Sequence, residues 1–274
     1  MLLKRRKSDA SGPPEPLPER WKMFGDEDPE IVLGGHSNAA CYVIARDSGL
    51  GPRSVRAGIA YPADFGAVDD SYWDFLATAG AGRAIAVVWD GNQHNGAFLV
   101  QPDPPFRVYG CSSVATPEQE AGRWIPRAMV SSYWEPSFAD LGRTLDRLVE
   151  RSRVLVVGTP PPNPEAHVRE RFEGKLDWDP WIRDIASTRE QASSELPVSP
   201  ESLRLALWSI IQEGMREQAR RAGCTFVAVP DSVRDDAGLL AAPYSAGDLT
   251  HANAEYAGVM WAEIEAALSS GEER

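Results

Sequence analysis

The chain has 274 residues, 43% of them hydrophobic, enough to bury a sizeable core as one large or two small domains. Its 40 acidic residues outnumber the 28 basic ones, for a formal net charge of -12. That balance argues against nucleic acid as a partner, because phosphate binding needs clustered Lys and Arg. The one basic run, Lys4-Arg5-Arg6-Lys7, continues into Ser, Gly and Pro instead of an apolar stretch, so it is not expected to be a secretory signal. No apolar run approaches the roughly 18 residues of a membrane span, and no membrane partner is expected. Cys41, Cys111 and Cys224 are odd in number, widely spaced and without CxxC spacing. They read as free thiols of a reducing, cytoplasmic compartment, not as a disulfide scaffold or a zinc site.

Residues 1–28 are charged and rich in proline (Pro13, Pro14, Pro16, Pro18), a composition expected to give a flexible arm whose end near Trp21 to Phe24 docks on the fold. Ile31 to Gly35 is a short apolar run stopped by two glycines, the pattern of a strand buried on both faces. It delivers Ser37 just before a short helix from Asn38 to Ile44. A second strand is expected over Ser54 to Tyr61, a helix over Asp69 to Ala79, and a third strand over Ala84 to Trp89. That strand runs into the polar loop Asp90-Gly91-Asn92-Gln93-His94-Asn95. Residues 96–136 show no clear period and carry scattered prolines and aromatics, which marks an insertion forming a wall or lid of the site or a satellite core.

Phe138 to Val149 repeats Leu141, Leu145 and Leu148 at helical spacing, and Val154 to Val157 is the fourth strand, leaving through the stiff Pro160-Pro161-Pro162 loop. A second insertion covers roughly 163–198. The helix that starts after Ser199-Pro200 closes at Gly223, Phe226 to Val229 is the last strand, and the final helix carries Ala257, Met260, Trp261, Ile264 and Leu268 on one stripe. Five strands alternating with helices predict an α/β fold: a doubly wound, parallel five-stranded sheet in a flavodoxin-like three-layer α/β/α arrangement. Residues 29–274 are expected to form a single domain.

The polar residues with chemical potential gather at strand ends. Ser37 follows strand one, Asn92 and His94 follow strand three, and Asp248 with His251 follow strand five. In an open parallel sheet all of these lie on the carboxyl rim, where such folds place their sites. Three of the four histidines (His36, His94, His251) fall in these loops, and His167 does not. A serine, a histidine to take its proton, a carboxylate to orient that histidine and an uncharged donor such as the Asn92 amide are the parts of nucleophilic acyl transfer. Each part has a plainer reading. Ser37 and Asp248 could cap the helices that follow them, and Asn92 could be a turn residue beside Gly91. Their joint occurrence, in order and each at a strand end, is what favours the catalytic reading.

Gly35-His36-Ser37, Asp90-Gly91-Asn92-Gln93 and Asp248-Leu249-Thr250-His251, in that order, resemble the sequence blocks of the SGNH/GDSL hydrolases. The first block has His where that family has Asp, the second keeps the asparagine without its flanking Gly and Asp, and the third matches fully. The Gly91-Asn92-x-His94-Asn95 and Asp-x-Thr-His-Ala-Asn forms are similar to a bacterial, polysaccharide-related subset. The resemblance implies a serine esterase without cofactor or metal, in which Ser37 is the nucleophile, His251 the base and Asp248 its partner. The oxyanion hole would comprise the Ser37 N–H, Asn92 and a glycine after strand two. Gly58 and Gly66 both fit that last role, and Gly66 lies better in a loop.

The implied substrate is a small-molecule or glycan acyl ester, an O-acetyl sugar among the candidates, with His94, Asn95 and His36 as candidate substrate contacts. His36 is expected to pack beneath the site; the alternative is that it shapes the pH response. The departures from the family pattern also motivate a second reading, a non-catalytic glycan- or acyl-binding protein or an acyltransferase. The Gly-x-Ser-x-Gly elbow of α/β-hydrolases is rejected because too little chain precedes Ser37 to supply that fold's early strands. A metal at His36, His94, Asp248 and His251 lacks a supporting HxH or HxxxH pair.

Overall fold

A computed structural model describes residues 21–25, 28–52, 54–60, 70–89, 93–109, 123–173 and 180–270. In chain order the elements are β1 (Trp21–Gly25), β2 (Ile31–Gly35), α1 (Ala39–Asp47), β3 (Val55–Ala60), α2 (Asp70–Ala79), β4 (Ala84–Val88), α3 (Gln93–Phe98), β5 (Phe106–Tyr109) and β6 (Arg123–Pro126). They continue with α4 (Arg127–Val149), β7 (Arg153–Val157), α5 (Glu165–Glu173), α6 (Pro180–Thr188), α7 (Glu201–Arg221), β8 (Thr225–Val227) and α8 (Ala254–Ser269). The main sheet runs β1-β3-β2-β4-β7-β8.

Five of these strands, β3, β2, β4, β7 and β8, are mutually parallel, and in order of appearance they stand 2-1-3-4-5. This order is that of a flavodoxin-like sheet, and the doubly wound parallel arrangement is the one expected from the sequence. The sixth strand is the end of the arm that was expected to dock near Trp21 to Phe24. Trp21–Gly25 pairs antiparallel with β3, from Trp21 opposite Ala60 to Gly25 opposite Arg56, so the sheet has one strand more than the five expected.

The continuous apolar runs of the strands are explained by two cores. Along β2, β4 and β7, Val32, Ile85, Val87, Val154 and Val156 face one layer, made with α2, α4 and α7. Their neighbours Ile31, Leu33, Ala86, Val88, Leu155 and Val157 face the other, made with α1 and α8. With alternate side chains buried on both faces, no position is left for a polar residue until the strand ends. A third cluster joins Leu99, Val100 and Leu249 to Val168, Phe172 and Ile182, so the 163–198 insertion packs its own satellite core.

The 96–136 insertion is shorter than expected, because α4 begins at Arg127 and not at Phe138. Val130 and Trp134 continue the buried stripe of Leu141, Leu145 and Leu148 backwards at helical spacing, and this anchoring carries the helix through Pro136. Among its described residues, the remainder of the insertion holds the end of α3 and a small parallel pair, β5 with β6.

The two glycines that end β2 are there for close packing. A Cβ on Gly34 would run into Leu76 of α2, and one on Gly35 would run into the Val88 carbonyl of β4, which cannot swing aside. Gly35→Ala is therefore expected to cost about 3 kcal/mol of stability, read as a lower urea midpoint with an unchanged m-value. A midpoint within error of the wild type would show that the strand end yields.

Candidate active site

Ser37 stands in the turn between β2 and α1. The end of β2 is fixed from the opposite layer by Tyr72 of α2, fully buried, whose hydroxyl accepts the Gly35 N–H at 2.8 Å and donates to the Gly35 carbonyl at 3.3 Å. Burial raises this phenol above its ordinary range, so it remains a neutral donor and acceptor. On the other side of the sheet, α1 lies against α8: Tyr42 meets Trp261 edge to face at 5.5 Å, and the Trp261 indole N–H donates to the Tyr42 carbonyl at 3.3 Å. Ser37 precedes α1 and His251 precedes α8. Packing the two helices thus brings together residues 214 positions apart.

His251 Nε2 lies 2.9 Å from Ser37 Oγ, and His251 Nδ1 lies 2.9 Å from Asp248 Oδ2. The other carboxylate oxygen, Oδ1, accepts the backbone N–H groups of Thr250 at 2.9 Å and His251 at 2.8 Å. One side chain therefore both folds its own loop and aims the imidazole. Because a carboxylate only accepts, Nδ1 carries the proton and Nε2 is left to accept from the serine hydroxyl. The side chains of His251 and Asp248 are 30% and 21% exposed, so the pair is shielded yet reachable from the rim.

The plainer readings of these residues do not describe the structure. The position capping α1 is Asn38, without a side-chain cap bond, and α8 is capped by Asn253, which accepts the Tyr256 N–H.

Burial pulls the Asp248 pKa upward, but the hydrogen bond and charge of His251 and the two backbone N–H donors outweigh it, leaving the pKa at about 2 against an ordinary 3.8. A folded pKa below the unfolded one means that the carboxylate adds stability above pH 4, and that this is lost as the pH falls toward 2. We predict that the stability gap between wild type and Asp248→Asn is roughly 2 kcal/mol above pH 4 and closes by about pH 2. A gap that stays constant over that window would sink the assignment.

His36 takes the packing role. It is buried edge-on against Trp89 at 5.5 Å and Trp73 at 6.2 Å, two rings that stack on each other at 5.4 Å. Strand alternation explains this: His36 turns toward the α2 layer and Ser37 toward α8. The candidate role of His36 as a substrate contact is thereby replaced by an aromatic one beneath the rim. Cys41 is buried, with its thiol pushed up to about 12, a small hydrophobe instead of a second nucleophile.

Of the other expected site residues, Asn92 and Gly66 lie outside the described residues, while His94 and Asn95 fall in the first turn of α3. Gly58 sits inside β3, paired with Gly34 and Met23, and not in a loop. Sequence reasoning missed three contributors beside the relay. Tyr72 is one, and Asn163, whose amide donates to the Leu249 carbonyl at 3.1 Å, is another. The third is His167, set apart above as the histidine outside the rim loops: its Nε2 lies 2.9 Å from the Asp248 carbonyl. Its signal was the exit loop of the fourth parallel strand, which ends on the same rim.

No protein-family model matches the chain, and no curated protein does. Among solved structures, the chain is similar in backbone course to a GDSL-like lipase from Bacteroides thetaiotaomicron, at 11% identity, 88% coverage of each chain and a TM-score of 0.47. It is also similar to an extracellular lipase from Streptomyces rimosus, at 14% identity, covering 87% of this chain and 99% of that one, with a TM-score of 0.46. A third is the periplasmic domain of a lipopolysaccharide acetyltransferase from Salmonella serovar Paratyphi A, at 9% identity, 89% and 85% coverage and a TM-score of 0.45. Among the described residues, no helix is long and apolar enough to cross a membrane.

Proposed function

We propose that the protein is a serine hydrolase of small acyl esters, with Ser37 as nucleophile, His251 as general base and acid, and Asp248 as the group that orients His251. The observation that carries this reading is the unbroken line of hydrogen bonds from Ser37 Oγ through both ring nitrogens of His251 to Asp248.

In the proposed reaction Ser37 Oγ attacks the acyl carbonyl as its proton passes to His251 Nε2, and the carbonyl π electrons move onto oxygen. The Ser37 N–H, Asn92 and Gly66 are the proposed donors to that oxyanion. Collapse of the tetrahedral intermediate breaks the ester C–O bond, and the imidazolium returns its proton to the departing alkoxide. Water then repeats the sequence on the acyl-serine, releasing the acid and restoring the hydroxyl. Nothing in this cycle calls for a metal or cofactor. An O-acetyl group on a sugar is the proposed substrate class, following the sequence resemblance to polysaccharide-related members of the SGNH/GDSL hydrolases. The well-separated free thiols Cys41 and Cys224 fit a cytoplasmic enzyme.

The test is a fluorophosphonate probe followed by peptide mapping. One equivalent of label on Ser37 is expected. Label elsewhere, or none on a folded sample, would refute the proposal.

A further inference from the structure

The relay needs more than a well-shaped loop. Asp248 closes its own turn, but His251 keeps its place opposite Ser37 only if the whole loop is fastened to the body of the protein. The fastening is made through the main chain of the loop. His167 of α5 meets the Asp248 carbonyl through Nε2 at 2.9 Å, and the Asn163 amide donates through Nδ2 to the next carbonyl, that of Leu249, at 3.1 Å. The Leu249 side chain is fully buried in the satellite core with Val168 and Phe172 of the same α5.

The anchor is itself rigid. Residues 158–163 leave β7 as a buried loop, and a buried loop must satisfy its backbone. Three prolines remove N–H donors from it, and three of its carbonyls are taken, by the Trp208 indole and the Gln212 amide at Thr159, by the Leu240 N–H at Pro162 and by Arg204 at Asn163. The Asn163 side chain, 1% exposed, accepts from Ser245 Oγ at 2.7 Å while donating to Leu249.

We infer that His167 and Asn163 are positioning residues for the relay, holding the loop of Asp248 and His251 by two successive carbonyls; the inference rests on the hydrolase reading above. A carbonyl only accepts, so His167 carries its proton on Nε2 and donates whether neutral or charged. The donor is therefore present in either state of the ring, and it is lost when the side chain is replaced by one that cannot donate.

The experiment compares His167→Phe, which fills the space without donating, with His167→Gln, whose amide restores a donor. For p-nitrophenyl acetate, His167→Phe is expected to lower kcat about 10- to 100-fold at nearly unchanged KM, because the nucleophile and base are misaligned rather than the substrate released. The acidic limb of its kcat/KM profile should move to lower pH as Asp248 supports the imidazolium less well. His167→Gln should return kcat to within about threefold of the wild type. In parallel, the downfield proton resonance of His251 Nδ1–H should broaden or vanish in His167→Phe and persist in His167→Gln. A lowered Tm with unchanged kcat, profile and resonance would reduce His167 to a structural role and overturn the inference. Should Ser37 of the wild type refuse the fluorophosphonate, the hydrolase reading falls, while the resonance still decides the positioning claim in one direction or the other.

Discussion

Ser37→Ala is expected to lower kcat for p-nitrophenyl acetate by about 10,000-fold or more, leaving only the slow background that binding and oxyanion donors supply. The fold should hardly notice. Ser37 is half-buried, its side-chain bond is made to a partly exposed imidazole, and water can take the place of the lost hydroxyl at His251 Nε2. A stability change below about 1 kcal/mol is expected in urea. Turnover equal to the wild type would remove Ser37 as nucleophile. A comparable loss of stability would instead make the hydroxyl a structural group.

Asp248→Asn should be nearly as severe, at about 10,000-fold in kcat, for a reason that depends on one proton. The asparagine side-chain oxygen can keep the Thr250 and His251 N–H groups that Oδ1 holds now, so the loop survives. Its NH2 then faces His251 Nδ1 in place of Oδ2. A donor at that position forces Nδ1 to accept and moves the ring proton to Nε2, where it points at Ser37 and cannot receive the hydroxyl proton. Steady-state kinetics of Asp248→Asn at neutral pH, beside a circular dichroism spectrum matching the wild type, checks the argument. Retention of more than a tenth of wild-type kcat would contradict it.

Much of this arrangement could be read from side-chain type and spacing. The two-faced burial of β2, β4 and β7 left apolar runs that end abruptly, and the abrupt ends are where Ser37 stands and where the rim begins. The Gly34-Gly35 pair marked the end of the run, and its reason lies in the packing, where Leu76 and Val88 leave no room for a Cβ. What escaped was of three kinds. β1 is held by backbone pairing to a strand far along the chain, and backbone pairing leaves no mark among the charges and prolines around it. The start of α4 hid behind Pro136, which interrupts the eye but not the stripe that Val130 and Trp134 extend. Tyr72, Asn163 and His167 act on main-chain atoms of Gly35, Leu249 and Asp248, and a main-chain acceptor looks the same at every position of a sequence.

The antiparallel sense of β1 has a practical consequence for handling the protein. Trp21 lies opposite Ala60, at the carboxyl end of β3, and Gly25 lies opposite Arg56 at its amino end. The chain therefore joins the fold on the side of the molecule where Ser37 and His251 meet. α8 runs the other way, and its last carbonyls at Ala267 and Leu268 accept from Arg153 at the amino end of β7. A label fixed on the last residues of α8 is therefore held on the side opposite Ser37, clear of the proposed site.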